Sequence, residues 1–161
     1  MRAGRDHCST WRILLTGSIT TTRQWPDLVP VVAQGLWCAF LRSSGRPSEQ
    51  LLDPVKHAAV APGLPRTFIL LVDDVPTGTA GLAEHDLDER PDLTPWLAGL
   101  YVVPDQRGRG LAGRPIRTVE QKCRIRGIPT AWLYTNTAKP IYDRAEWQAV
   151  ELIDITRSVS R

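Results

Sequence analysis

The segment Tyr101–Gln121, YVVPDQRGRGLAGRPIRTVEQ, joins an apolar, β-branched run to a helix-like pattern through a cluster of glycines and arginines. A flexible arginine-glycine tail would lack such flanks, so the segment predicts an ordered strand, turn and helix. The helix is predicted from Gly110 to Arg126, with Gly127 as its terminating residue. Its inner stripe recurs at helical spacing and consists of Leu111, Ala112, Ile116, Val119 and Cys123.

The turn itself has the composition of an anion site. Gly108 and Gly110 permit positive φ and leave no side chain to block a ligand. Successive N–H groups at the start of a helix attract anions, and Arg107 and Arg109 can add charge-assisted hydrogen bonds to a phosphate. The turn contains no GxxxxGK[ST], and no ribose-binding acid follows it. The alternative is a turn that uses glycine only to pack the helix against the strand.

The remaining patterns predict a mixed α/β sheet with the order β-α-α-β-β-β-α-β-α-β. Asp73-Asp74 separates two strands of a hairpin, and the unit from Trp96 to Thr135 is predicted to be a right-handed parallel crossover. The predicted strands are Trp11–Ile19, Phe68–Val72, Thr77–Glu84, Trp96–Val103 (covered on both faces), Ala131–Thr135 and Gln148–Ile155.

Four helices complete the predicted order. The first starts at Pro26-Asp27, where Asp27 can cap it, and its inner residues include Val31 and Phe40. The others are Ser48–His57, the helix after the glycine turn, and Pro140–Ala145. We expect one domain over residues 1–161, with its core at about 11–155.

Composition excludes several classes of protein. Hydrophobic residues make up 42%, charged residues 23%, and the net charge is +3, as in ordinary globular proteins. No segment approaches the ~20 apolar residues of a membrane helix. Cys8, Cys38 and Cys123 are odd in number and form no CxxC pair, which argues against a disulfide framework or zinc site. We therefore expect a cytoplasmic protein without a metal or membrane partner.

The turn and its flanks resemble the acyl-CoA signature of the GNAT superfamily of N-acyltransferases. VVPDQRGRGLA carries the pattern Arg-x-x-Gly-x-Gly/Ala as Arg107, Gly110 and Ala112. LYTNTAKPIYDRAEW resembles the family's closing segment, a strand and then a short helix that bears a tyrosine. The resemblance covers nearly the whole chain. It implies a three-layer fold with a splayed central sheet and an acetyl-CoA-dependent N-acetyltransferase that acts by direct transfer on a primary amine of a small molecule or peptide.

The resemblance also implies the cofactor contacts. The pantetheine arm would pair with the strand end at Leu100, Tyr101 and Val102, where an N–H could polarise the thioester carbonyl. Asn136 could hydrogen-bond the same arm, unless it forms an Asx-turn. The backbone expected to hold the pyrophosphate belongs to Arg107, Gly108, Arg109, Gly110, Leu111 and Ala112.

Transfer to an amine needs a base for the ammonium and an acid for the thiolate. Tyr142 matches the family's acid position; its alternative role is local packing. Glu84 is the candidate base and His85 its rival, although either can equally be an exposed side chain. The acidic segment EHDLDERPD favours a cationic amine if it borders the acceptor cleft.

Three departures from the family pattern bear on activity. Pro115 could kink the helix unless the helix starts at Gly113 or Arg114. Glu146 replaces the glycine before Trp147, and only fourteen residues follow that tryptophan. One closing strand fits there, so the sheet edge is either exposed or covered by a partner chain, as in a homodimer.

Two other functions compete with the transferase. One is a catalytically weak acyl-CoA-binding module with a regulatory role. The other is nucleic-acid binding through the arginines of the turn, which would depend steeply on salt. Because no aromatic residues are interleaved with those arginines, we expect no nucleic-acid partner.

Overall fold

The computed structural model describes residues 16–153. One antiparallel sheet contains four strands in the order β1-β2-β3-β4. The strands are β1 (Gly17–Thr21), β2 (Arg66–Val72), β3 (Val75–Ala83) and β4 (Trp96–Val102). The helices are α1 (Val29–Leu36), α2 (Glu49–Val60), α3 (Gly113–Ile125) and α4 (Lys139–Arg144). No helix in the described range is long and apolar enough to cross a bilayer.

Two apolar cores lie on opposite faces of the sheet, which gives three layers. Successive residues of β2 point to opposite faces, so Ile69 packs with α1 and α2 whereas Phe68 packs with α3 and α4. Both side chains are almost completely buried. The predicted mixed α/β architecture is thus confirmed, with a sheet that is antiparallel throughout its four strands.

The predicted hairpin is confirmed at β2 and β3. Its turn residues, Asp73 and Asp74, have φ values of 50° and 64°. Positive φ at both central residues matches the twist of paired strands, and aspartate tolerates this region better than most residues. The Asp73 carboxylate also accepts hydrogen bonds from the Thr16 N–H and hydroxyl, at 3.3 and 2.9 Å.

The first predicted helix forms between Pro26 and the break at Gly45, but only its middle is α-helical and the cap expected from Asp27 is absent. A 3-10 turn, Pro26–Leu28, precedes α1, and no side chain caps it. After Leu36 the chain widens into a π-helical turn, Trp37–Leu41. The extra residue in this turn rotates Phe40 away from the core, and Val31 lies opposite the buried stripe of α1. Each is 53% exposed, although both were predicted to face inward.

The helix after the glycine turn starts at Gly113. Pro115 therefore lies in the first turn, where no N–H is needed, and it is buried without breaking the helix. The other end is a Schellman cap, as the position of Gly127 predicted. Gly127 has a φ of 66°, its N–H bonds to the Arg124 carbonyl at 3.1 Å, and the Ile128 N–H bonds to the Cys123 carbonyl at 2.9 Å.

The strand predicted at Ala131–Thr135 is reduced to one parallel bridge, between Trp132 and Trp96. The Leu97 N–H donates to the Trp132 carbonyl at 2.7 Å, and the Trp132 N–H donates to the Pro95 carbonyl at 2.9 Å. Only the first two residues of β4 are buried, so full coverage of that strand was also wrong. Coverage fails because the neighbouring segment pairs with β4 only at its start.

The last predicted strand does not form over residues 148–153. Val150 and Leu152, whose apolar side chains suggested it, are 72% and 99% exposed and pack against no described strand. Its final residues, Asp154 and Ile155, lie outside the described residues. So does the first part of the predicted strand Trp11–Ile19, up to residue 15.

Glu146 has a φ of 63°, in the region where a residue with a Cβ is strained. We expect Glu146→Gly to raise the free energy of unfolding by roughly 0.5–1 kcal/mol, since the relief of strain exceeds the added entropy of the unfolded chain. Urea denaturation measures this. Glu146→Ala is the control, because it removes the same exposed carboxylate and keeps the strain. Equal stability of the two variants would contradict the expectation.

Candidate active site

The glycine turn between β4 and α3 is open on its outer side. Gly108 and Gly110 have φ values of 78° and 71°, which confirms the conformation expected of them. A Cβ added to either residue would meet no heavy atom within 4 Å. The space above the turn is therefore free to receive a ligand close to the backbone.

Five consecutive backbone N–H groups in this turn, those of residues 108–112, donate to no acceptor in the described part of the chain. The amides on either side are paired: the Arg107 N–H bonds to the Pro104 carbonyl at 3.2 Å and the Gly113 N–H to the Gly110 carbonyl at 3.4 Å. Free N–H groups that converge at a helix N-terminus form a nest for an anion. The turn thus has the donors that a diphosphate requires.

Arginines brace this turn from two sides. Arg107 donates from Nε to the Val102 carbonyl at 2.8 Å, and its guanidinium lies 5.7 Å from the centre of the Tyr101 ring. Arg114 donates to the Gly17 carbonyl of β1 at 2.9 Å. Arg109 is exposed beside the free amides. The first turn of α3 contains no acidic residue, so the field at the nest is positive.

The strand that leads to the turn is irregular. β4 has one extra residue opposite the Thr79–Gly81 step of β3, and Gly99 has a φ of 61°. Such a bulge bends the strand and changes the direction of the residues that follow it. The Thr79 hydroxyl holds the bulge by donating to the Gly99 carbonyl at 2.9 Å. Beyond Leu97 no backbone hydrogen bond joins β4 to the Trp132 segment within residues 16–153, so a gap opens next to the half-buried Leu100–Val102.

Tyr142 lies in α4, with its ring buried at 8% exposure and packed 6.2 Å from the Trp147 ring. Its hydroxyl makes no hydrogen bond with a described residue and is not among the fully buried polar atoms that lack a partner. Burial, and next the charge of Asp86, raise the pKa of Tyr142 to about 12. At neutral pH the side chain is a protonated phenol with a free O–H, which can donate a hydrogen bond or a proton.

The acidic loop that follows β3 brings Asp86 near enough to Tyr142 for its charge to act on the phenol. The carboxylate is exposed on one side, yet surrounding protein displaces enough water to raise its pKa to about 6. Its charge raises the pKa of Tyr142 and also that of Tyr134, for which burial is the larger cause. Tyr134 lies edge-on to Trp96, with ring centres 6.4 Å apart. A carboxylate of this pKa is suited to accept a proton near neutral pH.

Sequence reasoning missed Asp86 as an individual candidate. The sequence shows only that Asp86 belongs to the acidic segment EHDLDERPD, and this does not indicate which of its carboxylates lies near the tyrosines. Glu84 and His85 are both exposed at the end of β3, and neither is among the charges that affect Tyr142.

Asn136 is exposed in the turn before α4 and makes no hydrogen bond with the described residues. Thr135 forms that turn instead, because its hydroxyl accepts from the Ala138 N–H at 3.0 Å. The amide of Asn136 is therefore available to a ligand. No cluster of three or more His, Cys, Asp or Glu side chains that could hold a metal occurs between residues 16 and 153.

The model of the acetyltransferase (GNAT) family matches residues 30–145, nearly three quarters of the chain. The chain belongs to the GNAT acetyltransferase family. It is therefore a member of an acyltransferase enzyme family, and the resemblance read from the sequence is confirmed. No curated protein sequence matches this GNAT chain significantly.

Solved structures support the same fold. An aminoglycoside N-acetyltransferase in complex with CoA superposes with a TM-score of 0.69 at 19% identity, covering 92% of this chain and 98% of that one. A GCN5-related N-acetyltransferase from Ralstonia eutropha gives 0.62 at 21% identity, covering 87% and 96%. A predicted acetyltransferase from Clostridium acetobutylicum with acetyl-CoA gives 0.68 at 14% identity, covering 91% and 98%.

Proposed function

We propose that this GNAT protein is an acetyl-CoA-dependent N-acetyltransferase that moves an acetyl group directly to a primary amine. The observation that carries the proposal is the run of five unpaired N–H groups at residues 108–112, at the end of a strand whose outer edge is open. Acetyl-CoA combines a diphosphate with an extended arm of two amides, and it would supply the acetyl thioester. Both parts fit donors that the chain leaves unused.

The residues that would hold acetyl-CoA follow from this fit. The amides from Gly108 to Ala112 suit the diphosphate, with Arg109 beside them and Arg107 bracing the backbone. Leu100, Tyr101 and Val102 are half-buried at the strand edge next to the gap, which suits the amides of the arm, although the Val102 carbonyl already accepts from Arg107. Asn136 lies on the segment across that gap and has a free side-chain amide.

Direct transfer agrees with the state of the cysteines. Cys123 is buried in α3, and burial raises the pKa of its thiol, so the nucleophilic thiolate is scarce. Cys38 is exposed in the π-helical turn that continues α1, and α1 packs on the face of the sheet opposite to Tyr142. Cys8 lies outside the described residues. We therefore propose attack by the amine itself without an acylated cysteine.

Proton transfer is assigned to Tyr142 and one carboxylate. The carboxylate first accepts one proton from the bound ammonium, which frees the nitrogen lone pair for attack on the thioester carbon. Once the C–N bond has formed, the nitrogen loses a second proton to solvent. Tyr142 donates to the sulfur as the C–S electron pair moves there, and it recovers a proton from solvent. A phenol of pKa about 12 is a weak acid, so its hydrogen bond to the departing sulfur supplies much of its effect. Asp86 is the first choice for the base, and Glu84 the alternative.

A cationic amine is the acceptor that the acidic loop favours. Asp86, Asp88 and Glu89 all act on the phenol of Tyr134, so their field reaches the gap beside β4. An aminoglycoside N-acetyltransferase, whose substrate is a polycation, shares the fold. An aminoglycoside, a polyamine or a basic peptide N-terminus fits this field.

Coenzyme A should bind at the glycine turn. Calorimetry with CoA should show a saturable 1:1 complex, and Gly110→Ala should weaken it at least about tenfold, because the methyl group fills the ligand's space and tilts a donor worth ~1.5–3 kcal/mol. Gly127→Ala is the matched control: its φ of 66° and open surroundings are similar, but it lies at the other end of α3. Absence of CoA binding at millimolar concentration would refute the proposed function.

Tyr142→Phe removes the free hydroxyl and keeps the buried ring. We expect kcat to fall about 100-fold, the contribution typical of a positioned proton donor. The dissociation constant for CoA should not change. A thiol-release assay across a panel of amines measures turnover. If the wild-type protein binds CoA but acetylates no amine in the panel, the regulatory module is the better description.

The pH profile identifies the base. Asp86 with a pKa of about 6 is protonated below that pH, so kcat/KM should rise with pH and level off above about 6. Asp86→Asn should lower kcat/KM and abolish this limb, whereas Glu84→Gln should leave it in place. Loss of the limb in Glu84→Gln alone would instead assign the base to Glu84.

A further inference from the structure

We propose that a groove at the C-terminal end of α3 binds a small molecule that carries two or more phosphate groups. The groove lies between β1, the start of β2 and α3, and we call it the basic groove. Its main cavity has a volume of about 300 Å³, and a second cavity of about 270 Å³ adjoins it. The charged residues that line the main cavity are Arg23, Arg66, Lys122 and Arg126.

All four charged side chains in the basic groove are cations. None of them forms a salt bridge with a carboxylate anywhere in residues 16–153. Neither cavity has an aspartate or glutamate in its lining. Four neighbouring positive charges without a counter-charge repel one another, and a polyanion in the groove would relieve that repulsion.

Two of the arginines are held in place by the backbone. Arg23 donates to the Ala61 carbonyl at 3.2 Å, and Arg66 donates to the same carbonyl and to that of Gly63, each at 3.1 Å. Burial, followed by the charges of Arg23 and Arg126, lowers the pKa of Arg66. The cations from separate elements are therefore close enough to act on one guanidinium.

Capping of α2 explains these hydrogen bonds only in part. Ala61 ends that helix, where cations are favourable. However, a guanidinium has five N–H donors, and the bonds to Ala61 and Gly63 leave most of them unused. Lys122 and Arg126 come from α3 and make no contact with the end of α2 through a side-chain hydrogen bond among the described residues. Both lie at the C-terminal end of α3, where cations are again favourable, but that preference does not require the two helix ends to present their cations to one groove.

The basic groove is separate from the glycine turn. Gly113 starts α3 and Arg126 follows its last residue, so the two sites lie about 20 Å apart along the helix. Phosphate groups suit planar guanidinium donors, which can bind them through two parallel hydrogen bonds. The groove is open to solvent on one side and has a volume of about 300 Å³, which suits a compact ligand that stays partly exposed. Leu64, which is half-buried at the edge of the groove, offers apolar surface to the rest of such a ligand.

Sodium tripolyphosphate is the probe for this site. We expect NMR titration to show saturable shifts of the side-chain Nε–Hε signals of Arg23, Arg66 and Arg126, also in the Gly110→Ala variant, whose glycine turn is altered. The double variant Lys122→Gln/Arg126→Gln should weaken binding at least tenfold and leaves the bonds to Ala61 intact. Arg124→Gln, on the same turn of α3 but outside the groove, should change the affinity less than twofold.

Three results would overturn the proposal. One is the absence of saturable shifts at the three arginines up to millimolar tripolyphosphate. Another is a loss of affinity in Arg124→Gln at least half as large, in binding free energy, as that in Lys122→Gln/Arg126→Gln, because this would indicate general charge attraction. The third concerns a short oligonucleotide. If it binds at these residues much more tightly than tripolyphosphate does, and its affinity depends steeply on salt, the groove is a nucleic-acid surface. Circular dichroism confirms that each variant is folded.

Discussion

The parallel bridge between Trp96 and Trp132 determines how far β4 pairs with the chain segment beside it. Beyond the bridge, that edge of β4 is unpaired in the described residues. Two hydrogen bonds join the chain segments at the start of β4, and the bulge at Gly99 then turns the rest of the strand. A fully paired strand would satisfy its own amides and leave none for a ligand. The gap next to Leu100–Val102 follows from this early end of the pairing.

The two anion sites that we propose at the ends of α3 would bind phosphate groups by different means. At the first end, neutral backbone amides supply the donors, and arginines such as Arg107 and Arg114 brace the backbone. At the other end, four side chains supply full charges while backbone carbonyls position two of them. Anion binding by amides is directional and needs close approach, whereas cations act over a longer range and are screened by salt.

The tyrosine and the carboxylate beside the gap are each held in an unfavourable environment for their charged forms. Burial raises the pKa of both Tyr142 and Asp86, and the carboxylate adds to the effect on the phenol. A charged Asp86 at neutral pH is therefore less stable in the folded chain than in the unfolded one. Such a cost is common where a protein keeps polar groups ready for chemistry.

Local patterns in the sequence were enough to predict the elements whose conformation depends on adjacent residues. The Asp73-Asp74 turn, the glycines before α3 and the cap at Gly127 are set by backbone preferences over a few residues. Only the tertiary structure decided the rest, since it depends on residues far apart in the chain. The exposed position of Phe40, the single bridge at Trp132 and the approach of Asp86 to Tyr142 depend on packing between elements, as does the basic groove. A linear pattern does not record such distances, because each is fixed by how the sheet and helices pack after they have formed.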